Sequence, residues 1–173
     1  SILFTDFRYI EQAKKQAPDF QIVNHTTRGL YKELNELIQK ENIKTLGFES
    51  ETVTFNEYKE YEKNLSVSMI PTSKIVEKIR AIKDENEIAL IREAARIADQ
   101  AFSHILPFLK EGVSEREVAL ELEFFMKKSG ASDLSFSTIV ASGAFSALPH
   151  AVPTDKKLEK GDFLVMDFGC VYK

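Results

Sequence analysis

The sequence predicts an α/β (α+β) chain in two parts. Three observations lead there. Short β-rich runs alternate with helical stretches as far as Ile70, which implies strands layered with helices. Pro71-Thr-Ser breaks that alternation, and long amphipathic helices follow it. After Gly130 the helices give way again to strands.

Ile2–Tyr9 is rich in β-formers and reads as a first strand. A polar helix over Ile10–Ala17 and a second strand over Phe20–Asn24 follow. Thr27–Asn42 places Leu30, Leu34, Leu37 and Ile38 at helical spacing. Lys44–Phe48 reads as a strand, Phe55–Asn64 as a helix and Leu65–Ile70 as a strand. Lys74–Lys83 is a short helix with Ile75, Ile79 and Ile82 on one side. Asp84, with Glu87 three residues on, is a capping box that opens a long helix. Its apolar stripe is expected to run through Ile88, Ile91, Ala95, Ala98, Phe102 and Ile105, with Pro107 near its end. Ser114 and Glu117 repeat the capping box, Val118, Leu122 and Phe125 line the next helix, and Ser129-Gly130 stops it. Strands are expected at Leu134–Ala141 and Asp162–Phe168. The resulting division is 1–71, a linker helix at 72–83, and 84–173.

Bulk properties exclude several classes. A hydrophobic content of 43% supports a packed core and argues against disorder. A net charge of −4 with both signs interspersed is the wrong balance for a nucleic-acid surface. No apolar run is long enough to cross a membrane. One cysteine, Cys170, can form no internal disulfide and points to a reducing, cytoplasmic setting.

Two residues stand out chemically. Period two puts Phe163, Val165 and Asp167 on one side of a strand. An ionised carboxylate among buried apolar neighbours is costly unless paired or bound to a cation. The residues alone leave two accounts open: a buried ion pair or turn carboxylate, and a metal ligand. His150 lies between Pro149 and Ala-Val-Pro153, where the prolines stiffen the backbone. A neutral imidazole there suits hydrogen bonding to a substrate or proton transfer; the plain alternative is a surface-loop histidine. Ser146 has no adjacent base, Asp155 reads as a turn residue, and His25 and His104 read as structural. The Lys, Glu and Tyr run over 57–63 reads as a solvated helix face.

Three motifs, in this order and spacing, carry a resemblance. They are Ile82-Lys-Asp-Glu-Asn-Glu-Ile88 with Arg92-x-x-Ala95; Ser142-Gly-x-x-Ser-Ala-Leu-Pro-His-Ala-x-Pro153; and Gly161-Asp-x-x-x-x-Asp167-x-Gly169. Together they resemble the Xaa-Pro peptidases (proline aminopeptidase and prolidase) of the pita-bread, methionine-aminopeptidase-like metallopeptidase family M24. The resemblance implies a creatinase-like amino-terminal α/β domain, truncated, followed by the first part of a pita-bread catalytic domain. It implies that Asp167 is the first ligand of a site for two divalent metal ions, manganese foremost, with cobalt or zinc as alternatives. His150 becomes a substrate-contacting catalytic histidine and Phe136 a wall of the substrate pocket. The implied substrates are proline-containing peptides, cleaved at the Xaa-Pro bond.

The family's remaining ligands are absent from this stretch, so the chain is expected to be a fragment cut at both ends, inactive by itself and binding no metal. A strand near Lys173 lacking its hairpin partner leaves an open edge, which favours a homodimer or higher self-association. Two other readings stay open: a metal-free creatinase-type hydrolase, and a non-catalytic peptide- or protein-binding module on the same scaffold.

Overall fold

The computed structural model describes all residues from Ser1 to Lys173, in two compact units, Ser1–Ala81 and Ile82–Lys173. In the first unit, β1 (Ile2–Thr5) pairs in parallel with β2 (Gln21–Asn24), and α1 (Ile10–Gln16) makes the crossover that parallel pairing requires. The first strand is shorter than the sequence suggests. Asp6 accepts a hydrogen bond from the Arg8 backbone and starts a 3₁₀ turn over Phe7–Tyr9, which ends the extended run. After α2 (Leu30–Lys40), β3 (Thr45–Glu49) and β4 (Ser68–Thr72) repeat the parallel arrangement around α3 (Phe55–Asn64). The short helix α4 (Ile75–Ala81) follows.

The expected apolar face of α2 turns inward, with Ile38 fully covered. Asn35 on that helix receives hydrogen bonds from the Ser66 backbone and hydroxyl and donates to the Asn64 carbonyl, tying α2 to the chain between α3 and β4. The 57–63 run is not a purely solvated face. Tyr58 packs on Phe48 with centroids 5.1 Å apart, and Tyr61 packs edge-on against Tyr31.

In the second unit two capped helices, α5 (Glu85–Ile105) and α6 (Glu115–Lys128), form a hairpin. Both capping boxes are closed: the Asp84 and Ser114 side chains accept from the backbones of Glu87 and Glu117, whose carboxylates accept from the cap backbones. Ile97, Ala101 and Ile105 of α5 meet Val118, Leu122 and Met126 of α6, all fully buried. The expected α5 stripe is therefore displaced by about one residue around the helix. Ile91 and Phe102 are exposed, and Ile97 and Ala101 take the core side. α5 carries two adjacent apolar stripes that share Ile105, and the contact with α6 covers the one bearing Ile97 and Ala101.

The expected strand over 134–141 is two strands. β5 (Asp133–Leu134) pairs antiparallel with β8 (Cys170–Val171), and β6 (Ile139–Ser142) pairs antiparallel with β7 (Leu164–Asp167). Ser135 still follows the β5–β8 register, and the chain leaves the ladder only after it. Ser135 donates to the Gly169 carbonyl, and a Cβ on Gly169 would lie 2.5 Å from the Ser135 hydroxyl. Beyond that pair the register shifts, three residues (136–138) facing Phe168 alone before Ile139 meets Asp167, and this bulge carries Phe136 out of strand pairing. The face of β7 is also opposite to that expected. Leu164, Met166 and Phe168 pack on the helix core, while Phe163, Val165 and Asp167 look outward. Both faces of this segment are apolar, so alternation alone does not say which is covered.

Candidate functional site

The outward face of the β6–β7 ladder forms the floor of a cleft of about 520 Å³. Asp167 lies opposite Ile139 across the ladder, at the end of β7. Its carboxylate is exposed and forms neither a hydrogen bond nor an ion pair within the chain, which removes the buried-ion-pair account. Phe136 borders the cleft from the segment released between β5 and β6. His150, Ala151, Val152 and Pro153 border it from the loop that follows β6. Phe136, His150 and Asp167, thirty-one residues apart in sequence at the extremes (167 − 136), thus line one cavity. Thr138 is there too, 5% exposed, with a hydroxyl oxygen that finds no partner.

The loop from Gly143 to Pro153 is held from below. Ser142 begins it and Thr154 ends it, and both bind the carboxylate of Glu115, the first residue of α6. One oxygen, Oε1, accepts from the Ser142 backbone at 2.7 Å and its hydroxyl at 2.9 Å. The other, Oε2, accepts from the Thr154 backbone at 3.1 Å and its hydroxyl at 2.6 Å. Glu115 is 1% exposed. Burial pushes its carboxyl pKa up, but the Thr154 and Ser142 donors outweigh this and leave it below the usual range. Lys156 extends the network, donating to the Ser142 hydroxyl at 3.0 Å and to Asp162 at 2.8 Å. That pairing lowers the Asp162 pKa and raises the Lys156 pKa. Asp155, expected as a turn residue, pairs with Arg116 at 2.9 Å.

Gly143 opens the loop at φ +56°, and a Cβ there would lie 2.8 Å from Asp162 Oδ1. Both the backbone and the space favour glycine. Ser146 donates to the Gly143 carbonyl and has no basic partner, so it is a loop brace and not a nucleophile. His104 stacks on Phe125 and contacts Glu121 at 2.6 Å, away from the cleft lining. Burial raises the Cys170 pKa, the opposite of thiol activation.

Glu115 was not legible in the sequence as a site residue. A glutamate in the first turn of a helix reads as dipole complementation. The one faint signal is a second acid, besides Glu117, in the same turn.

The donor set for a metal is incomplete within these residues. Asp167 is a hard oxygen donor free of other duties, but divalent cations need several ligands. No group of three or more His, Cys, Asp or Glu gathers to hold one.

Comparison with known proteins gives the arrangement a context. Residues 89–173 match the model of metallopeptidase family M24, and residues 1–82 match the creatinase/prolidase N-terminal domain. An uncharacterised peptidase of Bacillus subtilis, YqhT, is 47% identical over 170 residues, covering 98% of this chain and 48% of that protein. A Xaa-Pro dipeptidase of Pyrococcus horikoshii is 39% identical over 145 residues, covering 83% of this chain and 41% of that one. Among solved structures, a Xaa-Pro dipeptidase from Bacillus anthracis superposes with a TM-score of 0.92 at 50% identity, over 99% of this chain and 48% of its own. The chain spans about half the length of the curated relatives it matches.

Proposed function

The chain belongs to metallopeptidase family M24, with a creatinase/prolidase-type domain ahead of its peptidase portion, and from that premise we propose that the protein hydrolyses the Xaa-Pro peptide bond. The observation that carries the reading is the meeting of Phe136, His150 and Asp167 in one mostly apolar cleft. Pockets of this kind, mostly apolar with a few placed polar groups, suit small ligands. Phe136 offers a ring wall against which a proline ring packs. His150, exposed at the rim without a partner in the chain, donates a ring N–H to the scissile carbonyl as negative charge develops, or passes a proton to the departing prolyl nitrogen.

Asp167 supplies one oxygen ligand to a divalent cation, with manganese preferred to cobalt or zinc. Such a cation, when bound, supplies Lewis acidity for amide hydrolysis. Because one carboxylate is all that these residues contribute, we infer that the 173 residues alone are inactive. No helix is long and apolar enough to cross a membrane, and the single, free Cys170 supports a cytoplasmic setting.

The test is a kinetic comparison of Xaa-Pro and Xaa-Ala dipeptides with manganese, using wild type and His150→Ala of the protein made from its complete coding sequence. Wild type is expected to prefer proline. His150→Ala is expected to lower kcat about a hundredfold at unchanged metal content. Equal rates on the two peptides, or loss of metal without loss of kcat, would count against the reading.

A further inference from the structure

We propose that Glu115 is a positioning residue, a clamp that fixes both ends of the His150 loop and so sets where that histidine stands in the cleft; this rests on the function proposed above. The geometry is specific. One carboxylate receives four hydrogen bonds, two from Ser142 at the start of the loop and two from Thr154 at its end. Each carboxylate oxygen serves one end, so the side chain spans the mouth of the loop. The glutamate itself is enclosed: it is 1% exposed and stands in the first turn of α6, whose core residues Val118 and Leu122 are fully buried.

The clamp reaches His150 through stiff backbone. Between His150 and the anchored Thr154 lie only Ala151, Val152 and Pro153, and Pro149 precedes the histidine. Prolines at both ends fix φ and limit how far the histidine wanders once Thr154 is held. The loop has no strand pairing of its own: a 3₁₀ turn covers Gly143–Ala147 and no ladder follows until β7. Its return is held to the start of α6 by the Glu115 carboxylate, by the Arg116 and Glu115 backbones donating to the Thr154 and Lys156 carbonyls, and by a single bridge between Ser114 and Lys157. Lys156, bonded to the Ser142 hydroxyl and to Asp162, braces the same corner from the other side.

A carboxylate is required because all four partners are donors. Glutamine keeps the size but turns an NH₂ group towards one pair of them, and so opens one end of the clamp. The experiment compares wild type, Glu115→Gln and Thr154→Val in the protein made from its complete coding sequence. Backbone hydrogen exchange over 142–154, kcat and KM for a Xaa-Pro dipeptide, and bound manganese are measured. Exchange across the loop is expected to rise at least tenfold in Glu115→Gln. A misplaced catalytic group costs up to about a hundredfold in rate, so kcat falls to that extent with manganese content retained. Thr154→Val removes one donor and keeps the backbone bond, giving the same changes to a smaller degree. Unchanged exchange over the loop overturns the clamp. So does a kcat within about twofold of wild type once the loop has loosened. If Glu115→Gln does not fold, Thr154→Val decides on the same readouts. If the wild type cleaves no Xaa-Pro peptide, the proposed function fails while the exchange comparison still decides whether Glu115 holds the loop.

Discussion

Two carboxylates in the second unit stand in opposite circumstances. Glu115, at the start of α6, is shut away from water and receives a donor on every side. Asp167, at the end of β7, faces an open cleft and has no partner in the chain. A buried charge survives only when fully satisfied, and a satisfied one has no valence left for anything else. An exposed, unpaired one contributes little to folding and is free to bind. The contrast separates a residue that holds structure from one available to a ligand, without appeal to sequence motifs.

Three substitutions break or sharpen this contrast. Asp167→Asn should abolish manganese-dependent Xaa-Pro hydrolysis and leave stability within about 0.5 kcal/mol, as for surface changes that break no contact. Urea unfolding beside the activity assay checks both halves; a large stability loss would show that Asp167 has a hidden structural role. Glu115→Ala should do the reverse, destabilising the second unit by about 3 kcal/mol by stranding buried donors. An unfolding midpoint equal to wild type would mean that water or side-chain rearrangement satisfies those donors.

Glu117 provides the intermediate case and the smallest effect. It is half exposed, and its hydrogen bonds with Ser114 hold its pKa at about 2, below an ordinary 4.5. A folded-state pKa below the unfolded one stabilises above the unfolded value and loses that effect as acid protonates the folded form. The stability gap between wild type and Glu117→Gln should therefore be full above about pH 4.5 and close towards pH 2. A gap that stays constant across that range would show that the charge of Glu117 contributes nothing to the cap.

What the sequence displays and what it hides divide along range. Both capping boxes, Asp84 with Glu87 and Ser114 with Glu117, span three residues and are readable directly. His150 and Asp167 were readable as motif positions, one beside Pro149 and the other at a strand end before Gly169, whereas Phe136 entered only through the family resemblance. Glu115 was not, because its partners lie 27 and 39 residues away. The break within 134–141 was hidden for the same reason: Phe136 and Ile139 are good strand formers, and only the distant partner segment, where Phe168 alone stands opposite residues 136–138, shows the shift in register. On α5, two apolar stripes of similar strength compete, and only the partner helix chooses between them.

The crowding at Gly143 has an evolutionary consequence. Its positive φ and the Asp162 oxygen 2.8 Å from any added Cβ disfavour a side chain at the loop's entrance, while Thr154 is committed to Glu115 at its exit. Heritable variation is thereby channelled into Ala144–Leu148 and Ala151–Val152 on either side of Pro149 and His150, where changes retune what the cleft accepts without disturbing the two joints that hold the loop.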